Sequence, residues 1–474
     1  MLKKRNEFQE RYSKLRHDLL QEMKDGKLGP GDYLLSEREL SDKYNLSHMS
    51  VRKLLAELKN DNLIEKIPGK GNRVQLSAGP REIAPLRVAC YADSHERDTL
   101  SRLLAAYQNE HPELRIELIP IAAGTYLDNL LSMTDNGEAP DLWVISDQHF
   151  RWLIDRGRCD LLLPVSAKEL DPGRKLYSAL FDLFTDAKLR AVPFVFSPVV
   201  YCYNKDMISE AELDQLDNWR NLLILAERHT CKDEIGAIQQ YGYGFSISNH
   251  RWPMYLLQNG SSFFSGEGNA PFLSNPATIE AFQFCLDLMY KYQVSPVFLQ
   301  GNTRFVENLF MKNKVALITS TYYFMNEFAK SGINWDIAPH IPSHIRKGTL
   351  LLGAGLAIHS NSPSIPQAKR LIQFLIGSQA QTQLKLSGCT VPARISVAED
   401  ESLHNPLLHP KHYHYFRDVL PYAKPVKEMN MNPSKMEKLQ EELFLMWMNM
   451  EKPEEACKRI DADWKTSWIS DSGT

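Results

Sequence analysis

Two helix starts eleven positions apart, each with its own side-chain cap, constrain this chain more than any other feature. Ser36 with Glu39 three residues later makes a capping box. In that arrangement the serine hydroxyl and the glutamate carboxylate each accept a backbone N–H that a helix start leaves open. Ser47 caps the next helix, whose inner face is Val51, Leu54, Leu55 and Leu58 and whose outer face carries His48, Met49, Arg52 and Lys53. Upstream, Phe8, Tyr12, Leu15, Leu19 and Met23 recur at gaps of three and four and predict a helix over 8–25, ended by Gly26 and Gly29-Pro30-Gly31. Downstream, 63–67 and 73–76 read as short strands joined by Pro68-Gly69-Lys70-Gly71-Asn72. Three helices followed by a hairpin predict a winged helix-turn-helix.

Such a unit suits double-stranded DNA. A helix fits the major groove and offers its first residues to base edges. Cations and N–H groups at helix starts grip phosphates. The charge distribution agrees: residues 1–76 hold 16 lysines and arginines against 12 acids, whereas the remainder holds 39 against 46. The stretches Gly26-x-x-Gly29-Pro30-Gly31-Asp32-x-Leu34-Leu35-Ser36-Glu37-Arg38-Glu39-Leu40, Ser47-x-x-Ser50-Val51-Arg52-Lys53 and Gly69-Lys70-Gly71 resemble, in order and spacing, the GntR family of bacterial regulators. The resemblance implies that Ser36, Arg38, Ser47, His48, Ser50, Arg52, Gly69, Lys70 and Gly71 lie at the DNA. It also implies a homodimer on a palindromic operator. The chain departs from the family at Leu35, His48 and Ser50, where Pro, Arg and Thr are usual. His48 is shorter than Arg and mostly neutral at pH 7, so the base preference should differ.

The organisation predicted for the chain is a DNA-binding domain over 1–76, a linker over 77–85 rich in small and polar residues, and a domain over 86–474 too long for one core. The latter should divide into a first lobe, about 86–195 and 320–376, and a second, about 198–318 and 378–474. Its start alternates strand and helix: strands over 86–91, 115–119 and 142–146 flank helical stretches at 100–107 and 126–133. That pattern predicts an α/β fold with a parallel sheet, whose ligands sit outside the carboxyl ends of the strands. Those ends are Tyr91-Ala92-Asp93-Ser94 and Asp147-Gln148. A dinucleotide is disfavoured, because no G-x-G-x-x-G follows the first strand.

An ordered series of segments then resembles the extracellular solute-binding proteins of the maltodextrin type. It comprises Ala139-Pro140-Asp141-Leu142-Trp143-Val144; Val192 to Ser197 leading to Tyr201-x-Tyr203-Asn204-Lys205-Asp206; Trp219; Asn259-Gly260; Phe305 to Phe310; Lys314-Val315-Ala316-Leu317; Gly353 to Ile358; and Gly388 to Arg394. The resemblance implies a two-lobed, Venus-flytrap fold with a sugar between the lobes. By position, Asp93, Ser94, Asp147, Gln148, Ser197, Trp252, Tyr322 and Tyr323 would line the cleft. Sugars need that mixture, since an aromatic face covers the C–H side of a pyranose while carboxylates and amides take its hydroxyls. Ser197 stands where a compared member has a carboxylate, and Gln148 and His149 replace an acid and a base, so the specific sugar should differ.

Several classes are disfavoured. No apolar run approaches a membrane span, and the basic start at Lys3-Lys4-Arg5 has no apolar stretch behind it, so neither a membrane helix nor a secretory signal is expected. The seven cysteines are scattered without a CxxC, and reduced thiols in the cytoplasm are the expectation. His404, His409, His412 and His414 match no metal-ligand spacing and read as a solvated loop; no metal or cofactor is expected. Regulators of this type fused to pyridoxal enzymes would need a Schiff-base lysine and an Asn-Pro-x-Gly-type motif, which Asn275-Pro276 and Asn432-Pro433 do not supply. The expectation is therefore a sugar-responsive DNA-binding regulator rather than an enzyme, with a transport receptor as the alternative.

Overall fold

A computed structural model describes residues 2–61, 63–75, 84–263, 272–297, 304–339, 342–429 and 431–471. It separates into two compact units, Met1–Ala84 and Pro85–Thr474. The expected linker lies outside the described residues except for its last two positions, as does the side chain of Phe8.

The first unit contains helices α1 (Leu2–Lys24), α2 (Glu37–Tyr44) and α3 (His48–Asn60), then strands β1 (Ile64–Ile67) and β2 (Gly71–Val74). The sequence spacing explains its core: Leu15, Leu19, Leu40, Val51, Leu54, Leu55 and Leu58 share one apolar interior with Ile64 and Val74. The hairpin is antiparallel, with Ile64 opposite Val74 and Ile67 opposite Gly71. Leu34 N donates to Asn72 O at 2.9 Å and Val74 N to Asp32 O at 2.8 Å, so the segment before α2 runs along β2.

The second unit is mixed α/β and has two lobes, each built on a sheet. Its strands are β3 (Leu86–Tyr91), β4 (Ile116–Ile121), β5 (Leu142–Ser146), β6 (Val192–Pro198), β7 (Val200–Asn204), β8 (Cys231–Lys232), β9 (Ile238–Gly244), β10 (Val315–Ser320), β11 (Trp335–Ile337), β12 (Thr349–Ile358), β13 (Val391–Pro392) and β14 (Ala423–Lys424). The first sheet has the order β13-β6-β12-β5-β3-β4, with β14 beside β12; the second has the order β11-β7-β10-β9-β8. β3 pairs in parallel with both β4 and β5, as the strand–helix alternation predicts.

The lobe boundaries differ from those read in the sequence. β11 pairs with β7, so the chain stays in the second lobe through Ile337 rather than leaving at 320. β13 pairs with β6, so 391–392 belongs to the first lobe. Lobe membership is decided by strand partners far apart in sequence, which local patterning does not reveal. The chain first crosses between lobes at Val199. There Val199 N donates to Leu350 O at 2.9 Å, and Thr349 Oγ1 donates to Val199 O at 2.6 Å, tying this crossing to the start of β12. Among the described residues no helix is long and apolar enough to cross a membrane.

Candidate functional site

Two sets of residues carry the candidate chemistry, one in each unit. In the first unit both expected caps form. Ser36 N donates to Glu39 Oε2 at 2.8 Å and Glu39 N to Ser36 Oγ at 3.2 Å. Ser50 N donates to Ser47 Oγ at 3.2 Å, and the two hydroxyls are 2.8 Å apart. Ser36, Arg38, Ser47, His48 and Arg52 are exposed on this surface, and Ser50 is half-buried. Gly69 (φ 78°) and Gly71 (φ 106°) lie in the left-handed region, which residues bearing a Cβ rarely adopt, and they place exposed Lys70 at the hairpin tip.

Glu37, in the first turn of α2, has a definite place. Its carboxylate pairs with Arg52 at 2.9 Å and Lys66 at 3.6 Å, and the hydrogen bond from Arg52 lowers its pKa.

In the second unit a cavity of about 310 Å³ opens at the carboxyl ends of β3 and β5, where a doubly wound sheet places its ligands. Five of the expected residues meet there: Asp93, Ser94, Gln148, Tyr322 and Tyr323. The first three come from the first lobe. The tyrosines open the helix Tyr322–Ser331, which follows β10 of the second sheet. Their rings are 4.2 Å apart; Tyr323 is 37% exposed and Tyr322 only 1%. The Tyr322 hydroxyl is buried beside Glu96 and Tyr323, and burial pushes its pKa up.

The wall also includes Tyr91, Glu96, Arg97 and His149, which the resemblance does not assign to the cleft. Tyr91 ends β3 and stacks on Tyr126 with ring centroids 4.0 Å apart. Its hydroxyl accepts from Ser146 N at 2.9 Å and lies 2.7 Å from His149 Nδ1. Burial pushes the His149 imidazole down to about 4, so the neutral ring accepts the tyrosine proton. Glu96 accepts from Thr390 Oγ1 at 2.7 Å and from Ser94 Oγ at 2.5 Å. Arg97 donates to Ala92 O at 3.0 Å. In the sequence, Tyr91 stands at the end of β3 and His149 just past β5, next to Asp93, Ser94 and Gln148.

Three expected cleft residues are corrected. Trp252 is buried among Phe263, Phe282 and Trp447, and its indole N–H faces Asn249 and Gln440; it is second-lobe core. Ser197 is fully buried and its hydroxyl accepts from Tyr322 N at 3.0 Å, so it holds the tyrosine helix rather than a ligand. Asp147 is buried beneath the cavity and accepts from Gly353 N at 3.0 Å; burial pushes its acid up to about 6.

The histidine loop is also corrected. His409 is buried, with Nε2 2.8 Å from Lys385 O, and His412 Nδ1 lies 2.9 Å from the buried Asp336 carboxylate. Among the described residues, Glu210, Asp336 and His412 could bring three ligand atoms within 4.8 Å. Glu210 is already paired with Lys411 at 2.8 Å, and Asp336 accepts from the N–H groups of Ile337 and His412. This cluster satisfies itself.

Comparison with known proteins adds two family matches. The model of bacterial extracellular solute-binding proteins matches residues 92–382, and that of the GntR family of bacterial regulatory proteins matches residues 11–74. A putative binding protein of Brucella abortus is 22% identical over 281 residues; the match spans 57% of this chain and 66% of that protein's length. The galactooligosaccharide-binding protein of Bacillus subtilis is 21% identical over 344 residues, 69% of this chain and 79% of that protein. Among solved structures, a substrate-binding protein of Listeria monocytogenes in complex with cycloalternan superposes with a TM-score of 0.67 at 18% identity, covering 81% of this chain and 98% of that one.

Proposed function

The chain belongs to the bacterial extracellular solute-binding proteins and carries a GntR-family winged helix before that fold, and on this premise we propose that it is a DNA-binding transcriptional regulator whose operator affinity is set by a small carbohydrate held between its lobes. The observation that carries the reading is the union of the two parts in one chain. A protein that only delivered sugar to a transporter would have no use for a capped, exposed recognition helix.

In this reading Arg38 and Arg52 grip phosphate or base edges, the N–H groups at the starts of α2 and α3 take phosphate oxygens, and Lys70 follows the sugar–phosphate strand. Two copies bind a palindrome, and the protein works in the cytoplasm, where DNA is. In the cleft, Tyr323 offers a face to a pyranose, and Asp93 and Gln148 take its hydroxyls. The cavity is at the small end of ligand pockets, which suits one or two sugar rings. Neither family is one of enzymes, and no catalytic step is assigned. Effector coupling of about 1–3 kcal/mol would change operator affinity about 5- to 150-fold.

The test is a carbohydrate thermal-shift screen followed by mobility-shift titration of full-length protein on DNA flanking its gene, with and without the stabilising sugar. Binding that responds to sugar is expected. Affinity for duplex DNA no better than that of an unrelated acidic protein, at low salt and with or without sugar, would sink the proposal. A second reading, a transport receptor, is favoured by the names of the relatives; recovery of the protein only with membranes would support it.

A further inference from the structure

We infer that His250 is a positioning residue of the cleft: from the second lobe it reaches across and holds Gln148, a cavity-wall residue of the first, so that the Gln148 amide group faces the ligand as a hydrogen-bond donor. The inference rests on reading the cavity as an interlobe ligand site, but its test needs neither sugar nor DNA.

The geometry is a cross-lobe hydrogen bond. His250 Nε2 lies 3.0 Å from Gln148 Oε1. Gln148 is in the first turn of the helix Asp147–Asp155, which follows β5. His250 is on the loop between β9 and the helix Pro253–Gln258.

Both partners are braced from behind. The next residue, Arg251, is buried; its Nη1 donates to His250 O at 3.0 Å, its Nε to Thr319 O at 3.3 Å, and its Nη2 pairs with Glu307 at 3.3 Å. That fixes the His250 backbone. At the far end of the first-lobe helix, Asp155 accepts from Asn432 Nδ2 at 2.6 Å and from Ser434 N at 3.0 Å, and the Arg151 guanidinium donates to Met431 O. Asn432 caps the helix Pro433–Glu442, whose Gln440 meets the second-lobe core at Trp252. One helix of the first lobe is thus held by His250 at its start and by the 431–434 segment at its end, and its first turn lines the cavity.

With the Gln148 oxygen facing the ring, proton counting gives the His250 tautomer. Burial pushes the His250 ring down to about 4, with Arg251, Arg151 and His149 adding to the effect, so at neutral pH it has a single N–H. The Gln148 carbonyl oxygen needs that proton, so Nε2 carries it. Nδ1 is buried and unpartnered. With its oxygen engaged, Gln148 has only its two N–H groups left to offer. The wall then presents a donor at Gln148 and an acceptor at Asp93, a combination that a polyhydroxylated ligand satisfies.

The test uses full-length protein labelled with ¹⁵N-histidine. His250 should show the Nε2-protonated tautomer and no titration between about pH 5.5 and 8. Gln148→Glu, a substitution at an exposed position, puts a carboxylate on the same proton and should raise its titration midpoint by about one pH unit or more. In hydrogen exchange, His250→Ala and Gln148→Ala should each speed exchange over 147–150 roughly three- to tenfold, and the double variant should go no further than either. A Nδ1 tautomer, a midpoint unmoved by Gln148→Glu, or additive exchange effects would each overturn the inference. Loss of sugar or DNA binding would leave these readouts untouched and bear on the proposed function alone.

Discussion

Arg52 Nη2 lies 2.9 Å from Glu37 Oε2, and its Nε lies 3.0 Å from the same oxygen, so the candidate recognition helix is braced by the first turn of the helix before it. The Arg52 side chain remains 63% exposed, so the pair aims the guanidinium without hiding it. Arg52→Ala should cost about 1–3 kcal/mol of operator affinity by mobility shift and, as an exposed pair, less than about 1 kcal/mol of stability. Undiminished affinity would remove Arg52 from the interface. Glu37→Gln should tighten binding and steepen its salt dependence, because it deletes a negative charge beside the proposed phosphate-gripping surface.

Tyr322 presents a buried hydroxyl to Glu96 and Tyr323 at the cavity. Tyr322→Phe keeps the ring and removes only the hydroxyl, so it should change the stability of the sugar-free protein by less than about 1 kcal/mol while weakening binding of the sugar that the thermal screen identifies. Calorimetry and thermal unfolding check both halves; a variant far less stable and equally tight would contradict both. Tyr322→Ala is uninformative by comparison, because truncating a ring that is 1% exposed opens a cavity.

Asp147 gives a signed pH prediction. Burial raises its acid from an ordinary 3.8 to about 6 in the fold. Below the lower value both states hold the proton and nothing is lost. As pH rises toward 6 the unfolded chain ionises first and stability falls, reaching a cost of roughly 3 kcal/mol above the folded value. Asp147→Asn keeps an oxygen for Gly353 N and removes the charge. The variant should be more stable than wild type at about pH 7.5, and the gap should close by about pH 4, as urea unfolding will read. A gap constant with pH would refute the assignment.

Trp252 belongs to the second-lobe core with Phe263, Phe282 and Trp447. Trp252→Ala should cost about 3–5 kcal/mol and lower the unfolding transition steeply. Loss of sugar affinity with an unchanged melting temperature would restore it to the cleft.

What the sequence made legible follows interaction range. The winged helix could be read almost residue by residue, because capping serines, glycine turns and helical spacing are local signals, and Ser36 and Ser47 cap as their neighbours demand. The sheet of β3, β4 and β5 was equally readable from alternation. The lobe boundaries were not, since β11 and β13 are short and take their identity from β7 and β6, more than a hundred residues away. In the cleft, residue type misled: Trp252 has the aromatic character of a sugar platform but is enclosed by other rings, whereas Tyr91 and His149 were placed at strand ends without their shared hydrogen bond being visible.

The first lobe supplies every wall of the cavity but the tyrosine pair. On the proposed reading, a solute docks mainly on the first lobe and the second lobe serves as its cover. Capture speed should then track encounter with the first lobe, whereas dwell time should track how firmly the cover stays down. Substitutions in the first lobe would shift arrival and departure together, and those in the cover would lengthen or shorten the stay alone.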